Sequence, residues 1–164
     1  MRKLRRGIMI LFLLTGITAN GQLWKEYVDS ARFFQFQGNQ EGAADYYLKA
    51  LPILLVDSAI TITHAAIADS LGKLFIDQQK YKSADTIYRK SKEIREKLFG
   101  TNSLYYALSC FNLGYLYIHF LDKIKEAEFL LQESKKIRQE FLGTDNLDYA
   151  LSCHYLGSAF MDQG

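Results

Sequence analysis

Proline is nearly absent: Pro52 stands alone among 164 residues, beside two cysteines and three histidines. Without prolines to interrupt them, long helices fit the chain better than many turns. Two cysteines cannot frame a disulfide-dense domain, and no Cys/His cluster, His-x3-His pair or HExxH run offers metal-ligand spacing. Gly38-x3-Gly42 lacks the Lys-Ser/Thr that follows in a phosphate-binding loop. A basic excess is also missing. Four of the 20 Lys and Arg residues are Arg2, Lys3, Arg5 and Arg6, so residues 22–164 carry sixteen basic groups against all 18 acidic ones. That balance excludes the electrostatic footprint of a nucleic-acid binder. No cofactor motif and no small-molecule site emerge. What the chain does have is apolar residues, 49% of the total, enough to build a core.

The first 21 residues read as a secretory signal peptide. Arg2 to Arg6 is a positive region, Ile8 to Ile17 a short apolar core, and Ala19-Asn20-Gly21 sets small residues three before and one before a cut ahead of Gln22. The apolar run is shorter than the roughly 20 residues a transmembrane helix needs. The alternative is an uncleaved membrane anchor, the one membrane contact the sequence allows. With cleavage, the protein is expected to be exported, to the periplasm or outside the cell.

Self-similarity organises the rest. Phe99-Gly100-Thr101-Asn102-Ser103-Leu104-Tyr105-Tyr106-Ala107-Leu108-Ser109-Cys110 lies over Leu142-Gly143-Thr144-Asp145-Asn146-Leu147-Asp148-Tyr149-Ala150-Leu151-Ser152-Cys153, 43 positions on. Leu71-Gly72, Leu113-Gly114 and Leu156-Gly157 recur at the same place in the period. Periods of this size mark solenoids. Each period reads as two helices. In the third, one amphipathic stretch runs from about Tyr106 to Phe120 and another from about Ile124 to Phe141, closed by Gly143 as a left-handed cap. Thr144, Asp145 and Asn146 then supply helix-start chemistry. The units fall near residues 23–57, 64–100, 106–143 and 149–164, the last holding one helix only. Pro52 is expected to kink or end the second helix of the first unit. The half unit suggests a piece of a longer protein.

These spacings resemble the tetratricopeptide repeat (TPR), whose signature is W-x2-L-G-x2-Y, then A-x3-F, then P. The second unit reads Ala68-x2-Leu71-Gly72-x2-Phe75, then Ala84-x3-Tyr88 and Ser91. The third reads Cys110-x2-Leu113-Gly114-x2-Tyr117, then Ala127-x3-Leu131 and Ser134. The fourth begins Cys153-x2-Leu156-Gly157-x2-Phe160, and the first is a degenerate Tyr27-x2-Ser30-Ala31-x2-Phe34, then Ala43-x3-Tyr47 and Ala50. The signature Trp and closing Pro are absent, and the period is 41 to 43 residues where the signature has about 34. The longer form resembles the kinesin-light-chain-like subclass. Joined to a signal peptide, it resembles exported multi-repeat proteins of the Bacteroidetes, which often continue into a CHAT peptidase-like or signalling domain. The resemblance implies an all-α fold: a right-handed α-solenoid of stacked antiparallel helical hairpins, about three and a half repeats.

Within that frame the small residue of the first helix and the Ala of the second sit where the helices cross. Cys110 and Cys153 take equivalent places on first helices roughly 10 Å apart, too far for a disulfide, so both are expected as buried thiols. Their duplication by the repeat speaks for packing and against a catalytic nucleophile, and no catalytic residue is nominated. Charged residues from Lys80 to Lys97, and Lys123 to Glu140 including Arg138, read as solvated faces.

The resemblance implies that first helices line a concave surface where ligands lie. The outward positions are Arg32 in the first unit, Asp69 and Lys73 in the second, Phe111, Asn112, Tyr115 and His119 in the third, and His154, Tyr155 and Ser158 in the fourth. Asn112 falls where TPR clamps place an Asn that holds a peptide backbone or carboxylate. The chain is thus expected to be a non-enzymatic scaffold for a protein or peptide partner. The alternative is the sensor or regulatory arm of a larger protein with a separate output domain.

Overall fold

The structure, a computed structural model, describes residues 23–56 and 61–161. The expected signal peptide lies outside the described residues. Two compact units divide the chain, Met1–Ile60 and Thr61–Gly164. Among the described residues all regular structure is helical.

The first unit is one hairpin. Helix α1 covers residues 23–36 and α2 spans Gln40–Val56. Gly38, at φ 75°, makes the turn. Val28 and Ala31 on α1 and Ala43, Tyr47 and Ala50 on α2 are buried; all but Val28 are positions of the degenerate repeat, whose Tyr27, Ser30 and Phe34 are only half-buried. α2 does not end at Pro52, which lies inside it. Proline removes one ladder bond, the one to the carbonyl of Leu48. Both residues are exposed, so water can donate to that carbonyl in place of the missing N–H.

The second unit holds α3 (Ile62–Asp77), α4 (Tyr81–Phe99), α5 (Leu104–Leu116), α6 (Ile124–Leu142) and α7 (Leu147–Met161). α3 packs on α4, α4 on α5, α5 on α6 and α6 on α7. Caps punctuate the sequence as composition suggested. Ser103 Oγ accepts from the Tyr106 amide at 3.2 Å, and Asn146 Oδ1 from the Asp148 amide at 2.8 Å. His64, which the pattern left without a role, is buried: its Nδ1 accepts the Thr61 amide at 3.0 Å, in the place of a capping-box Glu. Gly143 has the positive φ expected of it, 75°, but its ψ is −176°. Gly100 matches at 73° and 177°. That is an extended, glycine-only region and not the left-handed helical cap, and it sends the chain straight into the next first helix.

Helix crossings set the core. A Cβ on Gly114 would lie 2.7 Å from Leu131 Cγ and 3.4 Å from the Ala127 carbonyl, and one on Gly72 would run into the Tyr88 ring. Ala84, Ala127 and Leu131 are fully enclosed. The third unit is one residue longer than the second, and the surplus lies in a π-helical turn, Tyr117–Leu121, that continues α5. The Lys123 amide bonds back to the Tyr117 carbonyl, six residues earlier, whereas the Lys80 amide reaches Phe75, five earlier. The wider turn absorbs the insertion without shifting the crossing.

Two charged residues depart from the solvated faces expected of them. Arg95 and Arg138, equivalent on α4 and α6, are each 3% exposed. Arg95 donates to Ser91 Oγ at 3.2 Å and to Ser109 Oγ on α5 at 2.9 Å. Arg138 donates to Ser152 Oγ at 2.9 Å and the Asp148 carbonyl at 2.8 Å, both on α7. A charge pattern alone treats every arginine as surface. These two sit where a second helix meets the next first helix: Ser91 and Ser109 hold Arg95 from both sides, whereas Arg138 is held from α7 alone.

Replacing Gly114 with Val is expected to lower the unfolding free energy by about 3 kcal/mol, since neither Leu131 nor the Ala127 backbone can move aside freely. Gly157→Ala, with open space around the added carbon, is expected to be neutral or to stabilise by up to about 1 kcal/mol. Urea unfolding of both variants checks the pair.

Candidate concave groove

First helices α3, α5 and α7 share a cleft of about 380 Å³, lined by Lys73, Ile76, Asp77, Tyr88, Phe111, Asn112, Tyr115, Leu151 and Tyr155. Five of the ten nominated residues line it: Lys73, Phe111, Asn112, Tyr115 and Tyr155. His119 and His154 join through ring contacts. His119 lies 4.6 Å from Tyr115 and 5.4 Å from Tyr155 between centroids, and His154 lies 5.0 Å from Tyr155. Tyr115 meets Tyr155 edge-on at 5.2 Å, and Phe111 meets Tyr155 at 5.6 Å. The wall is therefore a run of interlocked rings, a geometry that fixes them better than isolated side chains would be.

Three nominated residues are not offered to a ligand in that cleft. Arg32 belongs to the Met1–Ile60 unit, where it is exposed and 3.6 Å from Asp29. Ser158 donates to the carbonyl of His154 on its own helix at 3.3 Å. Asp69 is held by Arg95 at 2.6 Å and accepts from Ser91 Oγ at 2.6 Å. Helical periodicity placed Asp69 on the right face but could not show that a buried arginine lies behind it.

The equivalent of Asp69 in the next unit is Phe111, and the exchange changes the electrostatics. The Arg138 guanidinium lies 4.5 Å from the Phe111 ring, so a cation–π contact stands where Arg95 has a carboxylate. Burial pushes Arg138 below the usual guanidinium range, with Asp148 opposing. Tyr88, on the cleft floor, is raised by burial first and then by Asp69 and Asp77.

Cys110 and Cys153 are both free. Cys110 is buried, and burial pushes its thiol up to about 12, with Lys92 and Tyr106 opposing. Cys153 is half-buried, not buried as expected: among the described residues α6 packs on α7 but no helix follows α7. Among those residues no group of three His, Cys, Asp or Glu is placed to hold a metal, and no helix is long and apolar enough to cross a membrane.

A larger cleft of about 710 Å³ lies between α4 and α6, above Leu113 and Tyr117 of α5. Sequence reasoning missed it because its walls, Arg89, Lys92, Lys125 and Glu126, read as ordinary surface charge. Tyr117 gives it a fixed floor: its hydroxyl donates to Asp85 Oδ1 at 2.7 Å and also receives Arg89, and Asp85 pairs with Arg89 at 2.9 Å.

Residues 63–140 match the tetratricopeptide repeat family model. No curated protein matches the chain. Among solved structures it is similar to BtubC (BKLC) from P. vanneervenii, with 25% identity, TM-score 0.79, and 88% of this chain covered. It is also similar to a putative kinesin light chain with nearly identical TPR-like repeats from Podosopora anserina, at 18% identity and TM-score 0.72, covering 86% of this chain and 67% of that one. The chain spans 58% of the length of BtubC.

Asp69→Asn is expected to cost about 3 kcal/mol, because it strips the carboxylate charge from a buried guanidinium. The denaturant midpoint reads this. A second expectation concerns pH. Below the ordinary thiol value of 9.0 the folded and unfolded states both keep the Cys110 proton. Above it only the unfolded chain ionises until about 12, so stability falls as pH rises through that window. Tyr88 and Tyr117, raised mainly by burial, act in the same direction. Unfolding midpoints at about pH 8 and about pH 10.5 measure the loss, and Cys110→Ala is expected to reduce it.

Proposed function

We propose that this chain, whose residues 63–140 match the tetratricopeptide repeat model and whose fold is similar to kinesin-light-chain-like repeats, is a non-enzymatic scaffold that holds an extended peptide or helix of a partner protein in its concave groove. Repeats of this kind form protein-interaction scaffolds, and that much follows from the fold. The observation carrying the finer reading is the ring wall of Phe111, Tyr115, His119 and Tyr155 beside Asn112. Rigid aromatics supply contact area at small entropic cost, and an amide side chain can both donate to and accept from a peptide backbone. Lys73 and Asp77 put one charge of each sign at the α3 end. Charge therefore contributes orientation more than bulk attraction.

Export is part of the proposal. The order of positive, apolar and small residues before Gln22 supports a cleaved signal. N-terminal sequencing of the exported protein is expected to begin at Gln22. A mature chain beginning at Met1 would mean an uncleaved anchor.

The groove is tested by affinity capture with the wild-type chain and with an Asn112→Ala, Tyr115→Ala double variant of unchanged helicity. The partner captured by the wild type is expected to bind the double variant about tenfold more weakly or worse, a loss of about 1.4 kcal/mol. Unchanged binding would sink the reading.

A further inference from the structure

Tyr88 belongs to a second helix, α4, yet it lines the concave cleft between first helices. Gly72 lets it through: the Tyr88 ring occupies the space that a Cβ there would need. Tyr88 is only 6% exposed, and its hydroxyl makes no hydrogen bond to any described residue. A buried phenol ordinarily finds a partner. Packing does not call for the hydroxyl, because Leu131 fills the same notch at Gly114 with no polar atom. Asp77 lines the same cleft, is exposed, and likewise has no ion pair or hydrogen bond among the described residues. Asp69, by contrast, is already held by Arg95 and Ser91.

The opposite side of the unit shows what such a pair takes. Tyr117 donates to Asp85 at 2.7 Å, and Arg89 bonds to both, to Asp85 at 2.9 Å and to the Tyr117 hydroxyl. Lys123 lies 4.7 Å over the Tyr117 ring, and Lys92 lies 4.7 Å over that of Tyr106. Each of those tyrosines therefore has a cation of its own. Tyr88 has none. Burial raises it first, Asp69, Asp77 and Tyr115 then push the same way, and no cation opposes them. At Tyr117 and Tyr106, Arg89 and Lys92 do oppose. Lys73, one helical turn before Asp77, neither pairs with that carboxylate nor offsets its action on Tyr88.

We propose that the Tyr88 hydroxyl and the Asp77 carboxylate form a seat for an arginine side chain of the partner segment, beside the Tyr115 ring. This rests on the groove reading above and names the chemistry that the groove selects. The guanidinium donates one N–H to Asp77 and another to Tyr88 Oη, as Arg89 does to Asp85 and Tyr117. Tyr115 offers the cation an aromatic surface. An acidic side chain is disfavoured there by Asp77. An apolar one would cover the hydroxyl and the carboxylate without satisfying either, so the seat discriminates by penalty as well as by attraction.

The probe is N-acetyl-arginine methylamide, titrated into the full chain carrying ring-labelled tyrosine and followed by NMR. The Tyr88 signal is identified by its loss in Tyr88→Phe. Saturable shifts of the Tyr88 and Tyr115 signals are expected. Tyr88→Phe, which keeps the ring in the notch, and Asp77→Asn, at an exposed position, are each expected to weaken binding about fivefold, read on Tyr115. The citrulline analogue, which has the same shape without the charge, and the glutamate analogue are expected not to bind. No saturable shift, equal binding of the citrulline analogue, or indifference to both substitutions overturns the proposal. The capture experiment separates the seat from the groove. A captured partner that is lost with Asn112→Ala and Tyr115→Ala but tolerates Tyr88→Phe with Asp77→Asn removes the seat and leaves the groove standing. A partner indifferent to every one of these substitutions removes both.

Discussion

Everything in the second unit hangs on the close approach of two helices at a residue with no side chain. Gly72 and Gly114 admit Tyr88 and Leu131 into space that any Cβ would occupy. That contact fixes which face of each second helix is buried, and with it the faces left to the outside. Length variation is pushed away from the crossing. The extra residue of the third unit is taken up in the π-helical turn after Leu116, and the inter-unit linkers turn at Gly100 and Gly143. Tolerance of insertions in turns, with none at the crossing, is what close packing predicts.

A second constraint joins one hairpin to the next. Arg95 and Arg138 reach from a second helix to a serine of the following first helix, Ser109 or Ser152. Burying a guanidinium is costly unless its donors are satisfied, so the staple works only in one stacking register. The two staples are not identical. Asp69 neutralises Arg95, whereas Phe111 offers Arg138 a ring. The same substitution that leaves Arg138 without a close carboxylate adds the Phe111 ring to the groove.

Much of this was legible beforehand. The hairpins, the crossings and their small residues followed from periodicity, because a helix that must bury one stripe repeats its apolar residues whatever its neighbours are. Five of the ten nominated residues line one cleft for the same reason. Failures came where a side chain's environment is set by a distant element. Asp69 was assigned outward although Arg95, on the next helix, holds it. Arg138 was assigned to solvent although α7 covers it. The cleft between α4 and α6 was invisible because its walls come from helices a full repeat apart.

Sequence by itself determined the helical class, the repeat, the positions of the crossings and the balance of charge that speaks against nucleic acid. These depend on residue type and spacing along one chain. Only the tertiary structure decided which charges are buried and which of the outward side chains come together in one cleft. Those are properties of pairs of surfaces, and no spacing within one helix records what the facing helix brings to it.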